Sequence, residues 1–127
     1  MGYNLFIDDY RMPKDAFAYL NLPQYITKEW IVVRNYYAFI TIIQNKGIPD
    51  SISFDHDLAD AHYKNVNFNY NDENMEKTGY HCALWLINYC MDNNKKLPAE
   101  ILIHSMNPAG SLNIKSLFES YKKSLIL

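Results

Sequence analysis

Three short clusters carry the side chains best suited to chemistry: Asp8-Asp9, Asp55-His56-Asp57 and His104-Ser105. Carboxylates held together raise one another's pKa and repel unless a proton or a cation offsets them. An oxygen-rich carboxylate set with few sulfur donors suits Mg²⁺ or Mn²⁺, and a Zn²⁺ site using His56 or His104 is the alternative. Taken singly, each aspartate could instead cap a turn or a helix. Histidine changes charge near neutrality, which suits His56 and His104 to general acid–base work. His56 could equally be a turn residue, and His104 a satisfied, half-buried one. Ser105 has no activating base beside it in sequence, so a hydrogen bond to phosphate suits it better than nucleophilic attack. Arg11 and Arg34 are the nearest guanidinium groups, suited to bidentate phosphate contacts or to surface salt bridges.

These clusters matter only if the fold brings them together. Asn4 to Ile7, Trp30 to Val33, Ser51 to Phe54 and Ile101 to Ile103 are short apolar runs that read as strands. Asp8, Arg34, Asp55 and His104 directly follow them. A short helix is expected around Asp15 to Leu20, ending near Pro23. Tyr36, Phe39, Ile40 and Ile43 repeat at helical spacing, with Gly47 as the stop. A third helix runs from Gly79, its apolar face formed by Tyr80, Ala83, Leu84, Ile87 and Cys90 or Met91 and widened by Trp85 and Leu86. A last helix uses Leu112, Ile114, Leu117, Phe118 and Tyr121, and Asn107-Pro108 lies at its start. Alternating strands and helices imply a mostly parallel sheet covered on both faces. In such sheets ligands bind outside the carboxyl ends of the strands, so the polar clusters should meet at one edge. His81, in the first turn of its helix, could approach that edge. His62 falls in the polar stretch 59–78, expected to be a mobile surface cover.

The chain has 127 residues and a formal net charge of −2, with 49% hydrophobic residues. This fits one domain over residues 1–127 and gives no basic field for duplex DNA. No apolar run reaches the roughly 20 residues of a membrane span. Cys82 and Cys90 fall in one helix at a spacing unlike a metal finger or a disulfide. The first residues lack the pattern of a secretory signal. A cytoplasmic location is the expectation.

Leu5-Phe6-Ile7-Asp8-Asp9, Pro49 to Asp55 and Ile101 to Ser105 resemble three stretches of a response-regulator receiver domain. The departures are a short first helix and the absence of a fifth strand with its Lys-Pro; Lys122 and Lys123 are helical. Asp8-Asp9-Tyr-Arg11-Met-Pro13, Asp55-His56-Asp57-Leu58, Gly79-Tyr80 and His104-Ser105-Met-Asn107-Pro108-Ala-Gly110 look like a divergent branch, the cyclic-phosphate-processing receiver-like domains. That resemblance covers roughly residues 3–118. It implies a receiver-like (flavodoxin-like) α/β three-layer sandwich with a truncated, mostly parallel sheet of about four strands. It also implies a divalent metal, Mg or Mn, on Asp8, Asp9 and Asp55.

The function it implies is metal-dependent phosphoesterase chemistry on a cyclic nucleotide or an RNA-end cyclic phosphate, in RNA repair or phage–host conflict. His56 or Asp57 would accept the proton of the attacking water, and His104 would protonate the leaving oxygen. Arg11, Arg34, Ser105 and Asn107 would hold phosphate. The competing readings are a non-catalytic module that binds a nucleotide or a protein, and a regulator phosphorylated at Asp55.

Overall fold

The computed structural model describes residues 2–58 and 77–126. Expectations that rest on His62 or on the polar connection through residue 76 fall outside these residues. The four strands are β1 (Asn4–Ile7), β2 (Trp30–Val33), β3 (Ser51–Phe54) and β4 (Glu100–Ile103). All pairings are parallel, in the order β2-β1-β3-β4. The helices are α1 (Pro13–Leu20), α2 (Gln24–Thr27), α3 (Tyr36–Lys46), α4 (Gly79–Asp92) and α5 (Pro108–Ile126). The short helix expected before Pro23 is thus followed by a separate single turn, α2.

Strand alternation divides the core. Leu5, Ile7, Ile52 and Phe54 face α3, α4 and α5, and pack with Phe39, Ile43, Leu86, Ile114 and Phe118. Fully burying a side chain of this kind contributes about 1.5–3 kcal/mol. Phe6 faces the other way and packs with Ala16 of α1 and Tyr25 of α2. The result is three layers. The chain moves from β1 to β2 on one face, then reverses direction across β1 to β3 on the other. Right-handed crossovers require that change of face, and it makes the gap between β1 and β3 the switch point of the sheet.

Local signals explain the helix ends. The Asp15 carboxylate accepts from the Met12 amide at 2.8 Å and closes the start of α1. Asn35 caps α3 by accepting from the Ala38 amide at 2.8 Å. Gly47 ends α3 at φ 87°, a conformation that glycine adopts without a Cβ penalty. In α4 the buried stripe is Cys82, Ala83, Leu86, Ile87 and Cys90, while Leu84 and Met91 are exposed. The face is therefore rotated from the one expected, because Cys82 and Leu86, four residues apart, turn inward together. In α5 Leu112 is likewise exposed, while Ile114 and Phe118 enter the core. No described helix is long and apolar enough to cross a membrane.

Candidate metal and phosphate site

The sheet hydrogen bonds continue one residue past three strands. The amides of Asp8, Asp55 and His104 donate to the carbonyls of Val33, Ile7 and Phe54 at 3.1, 2.9 and 2.9 Å. This pins the three side chains at the carboxyl edge of the sheet. Phe6 is in register with Ser53, and Ser53 with Leu102. By the two-residue period Asp8, Asp55 and His104 therefore share a face with Phe6, Ser53 and Leu102.

Asp8, Asp9 and Asp55 each offer a ligand atom, and these atoms lie within 4.8 Å of one another. Asp8 is 0% exposed and Asp55 2%. The Asp8 Oδ1 accepts from the amides of Tyr10 and Arg11 at 3.0 and 2.8 Å. Its Oδ2 accepts from His104 Nε2 at 3.0 Å. Burial alone raises the pKa of this carboxyl, but the bonds from His104, Tyr10 and Arg11 outweigh burial and hold it below its ordinary value. Asp55 is pushed the other way, to about 7, first by burial and then by the charge of Asp8. Its Oδ2 is buried without a hydrogen-bond partner among the described residues. A buried carboxylate oxygen left in that condition beside two more carboxylates fits a hard divalent cation.

Beside this cluster lies a pocket of ≈ 280 Å³, lined among the described residues by Arg11, Asp55, Asp57, Ser105, Met106 and Asn107. The Asp57 Oδ1 lies 2.7 Å from His56 Nδ1, and its Oδ2 accepts from Asn107 Nδ2 at 3.3 Å. Asn107 also caps α5, its Oδ1 accepting from the Gly110 amide at 2.9 Å. The Ser105 hydroxyl accepts from the Asn107 amide at 3.1 Å. Arg11 stands at the mouth with its guanidinium over the rings of Tyr10 and Tyr19, at 5.1 and 5.9 Å from their centroids.

Arg34, His81 and His104 are not among the described residues that line this pocket. The Arg34 guanidinium donates to the carbonyls of Asp8 and Arg11 at 3.3 and 2.7 Å and braces the loop after β1. His81 Nδ1 accepts from the Thr78 amide at 2.9 Å, at the start of α4. His104 is 0% exposed and lies outside the pocket lining. Its ring stacks on Phe6 at 4.1 Å between centroids and 8° between planes. Burial, more than the opposing effect of Asp8, holds its pKa below the usual histidine value.

Two site-supporting residues escaped the sequence reading. Ser53 Oγ lies 2.7 Å from His104 Nδ1 and 2.7 Å from the Tyr25 hydroxyl. The signal was available: β3 reads Ser-Ile-Ser-Phe, with polar residues on one face of a buried strand. No curated protein and no solved structure gives a match. A family model, the cyclic-phosphate processing receiver domain, matches residues 3–120. That match spans nearly the whole chain and includes every aspartate of the acidic cluster and every residue of the pocket, so this chain belongs to the cyclic-phosphate processing receiver domain family.

Proposed function

We propose that this protein is a divalent-metal-dependent phosphoesterase that opens a cyclic phosphate, with a cyclic nucleotide or an RNA-end cyclic phosphate as substrate. The observation that carries this reading is the meeting of the Asp8-Asp9-Asp55 cluster with a pocket that also holds Arg11, Asp57 and Ser105. Asp8, Asp9 and Asp55 would hold the cation. When bound, such a cation supplies positive charge to a phosphoryl group and makes water a better nucleophile at neutral pH.

The chain's own groups account for the rest. Arg11 and the Ser105 hydroxyl bind the non-bridging phosphate oxygens. Asp57 faces the pocket and accepts the proton of the attacking water. His56 and Asn107, one on each Asp57 oxygen, keep that carboxylate aimed. A P–O bond to water forms as Asp57 takes the water's proton, the ring P–O bond breaks, and the ribose oxygen takes a proton from solvent as a phosphomonoester is left. In this reading His104, fully buried against Asp8, acts through that carboxylate rather than on the leaving oxygen.

A panel of 2′,3′-cyclic nucleotides and cyclic oligonucleotides, incubated with Mg²⁺ or Mn²⁺ and read by mass, tests the proposal. Gain of one water that stops on chelation is the expected result. No turnover across the panel with metal supplied would overturn it, and tight binding of an unchanged nucleotide would favour a binding module. An acyl-phosphate donor that labels Asp55 would point to the phosphoaccepting regulator.

A further inference from the structure

We infer that Tyr25, Ser53 and His104 form a one-way hydrogen-bond relay that positions Asp8 as a cation ligand, making them positioning residues of the site. The inference rests on the acidic cluster holding a divalent cation, and not on the identity of the substrate.

The polarity of the relay follows from its two ends. At one end Asp8, as a cation ligand, is a carboxylate and can only accept, so His104 Nε2 carries a hydrogen and donates to Oδ2 across 3.0 Å. In the neutral ring that this relay requires, Nδ1 is then bare and accepts. Its neighbour at 2.7 Å is Ser53 Oγ, so the serine hydrogen points at the ring. With that hydrogen committed, Ser53 Oγ accepts at its other contact, and the Tyr25 hydroxyl donates to it across 2.7 Å. Burial raises the Tyr25 pKa to about 12, which keeps it a donor. The order is Tyr25 to Ser53 to His104 to Asp8, spanning α2, β3, the end of β4 and the end of β1.

Surrounding contacts fix the ring's position. Phe6 stacks flat on the imidazole, and Tyr25 meets it edge-on at 6.2 Å between centroids. The Tyr19 hydroxyl donates to the His104 carbonyl. All four relay members are buried, at 2% exposure or less.

The lone pairs of Asp8 show what the relay achieves. A carboxylate offers about four acceptor sites. The Tyr10 and Arg11 amides take two on Oδ1, and His104 takes one on Oδ2. The site left over is on Oδ2, the oxygen that His104 holds. The relay therefore holds the oxygen with capacity to spare, which also lies 3.8 Å from the Arg11 guanidinium, on a carboxylate whose ligand atom is within 4.8 Å of those of Asp9 and Asp55. Outer partners of this kind orient ligands and tune affinity, and losing one typically weakens metal binding about 10–100-fold.

The test uses the full chain, with Mn²⁺ binding by calorimetry and ¹⁵N NMR of the imidazole. Wild type should show His104 protonated on Nε2 and bare on Nδ1 before metal is added. His104→Phe keeps a flat ring and loses the donor; its Mn²⁺ affinity should fall about 10–100-fold. His104→Gln places an N–H the same number of bonds from the backbone and should recover most of that loss. Ser53→Ala should populate the other tautomer and weaken Mn²⁺ binding, and a purely structural serine would leave the tautomer unchanged. Circular dichroism confirms that each variant is folded. A proton on Nδ1 in wild type overturns the inference, as does His104→Phe binding Mn²⁺ like wild type, His104→Gln failing to rescue, or wild type binding no Mn²⁺. A wild type that binds Mn²⁺ but hydrolyses no cyclic phosphate would defeat the proposed reaction and leave the relay standing.

Discussion

Gly110, in the first turn of α5, lies against the imidazole of His56, and a Cβ there would sit 2.4 Å from the ring's Cγ. The chain has no room for a methyl group between α5 and the loop that carries Asp57.

Gly110→Ala puts two effects in opposition. Alanine in a helix gains about 1 kcal/mol over glycine from propensity. Overpacking a closed contact costs about 1–3 kcal/mol. The ring is buried and cannot swing into solvent, so the contact should win. The variant should melt below wild type, and it should lose hydrolysis because a displaced His56 no longer aims Asp57. A variant that melts higher with full activity would show that the ring gives way freely.

Asp55 makes stability without metal depend on pH. Its folded pKa of about 7 lies above the ordinary 3.8, so the folded state holds the proton more tightly. That contribution is complete below pH 3.8 and is lost as pH rises through about 7. His104 works in the opposite sense: its folded pKa lies below 6.5, so its contribution is present above 6.5 and lost as pH falls. The two windows overlap, so the informative quantity is the difference between Asp55→Asn and wild type in chelator. The variant's advantage should grow across the Asp55 window at up to about 1.4 kcal/mol per pH unit and then level off. Saturating Mn²⁺ should flatten the growth, because the cation then stabilises the Asp55 charge. Parallel denaturation curves at all pH values would show that Asp55 ionises freely.

His104→Ala separates positioning from proton donation. A general acid contributes about 10²–10⁴-fold, and a substrate with a good leaving group restores much of its loss. If His104 acts through Asp8, the variant should lose activity equally on poor and good leaving groups, and excess metal should recover part of it in both. Turnover on a matched pair of phosphodiesters decides this. Selective rescue of the good leaving group would place His104 at the reacting bond.

Much of the site was legible because it is built from strand ends. Val32 and Val33 mark β2, Pro49 and Asp50 precede β3, and Pro98 precedes β4; in each case the apolar run stops where the polar residue begins. Parallel pairing then brings Asp8 and Asp55 to one edge without any knowledge of side chains. What remained hidden depends on distant contacts. Nothing near His104 in sequence shows that Phe6 and Tyr25 enclose it, or that Ser53 meets its Nδ1. Arg34 follows a strand as the aspartates do, yet it turns to the backbone of the neighbouring loop. Helix faces were harder still, because the apolar surface of α4 is wide and only packing shows which stripe turns inward.

The ladder bonds beyond the strands have a consequence for hydrogen–deuterium exchange. Asp8 and Asp55 hold the centre of the sheet with the same residues that face the site, through their amides on Val33 and Ile7. Neither amide can meet solvent unless β1 parts from a neighbour. Both should exchange as slowly as the innermost strand amides, near the limit set by global unfolding. The Asn107 amide is held by the Ser105 hydroxyl instead, so it can open with its own loop and should exchange much faster. The acidic half of the site would then be a fixed frame, with the Ser105–Asn107 side as its more readily opened wall.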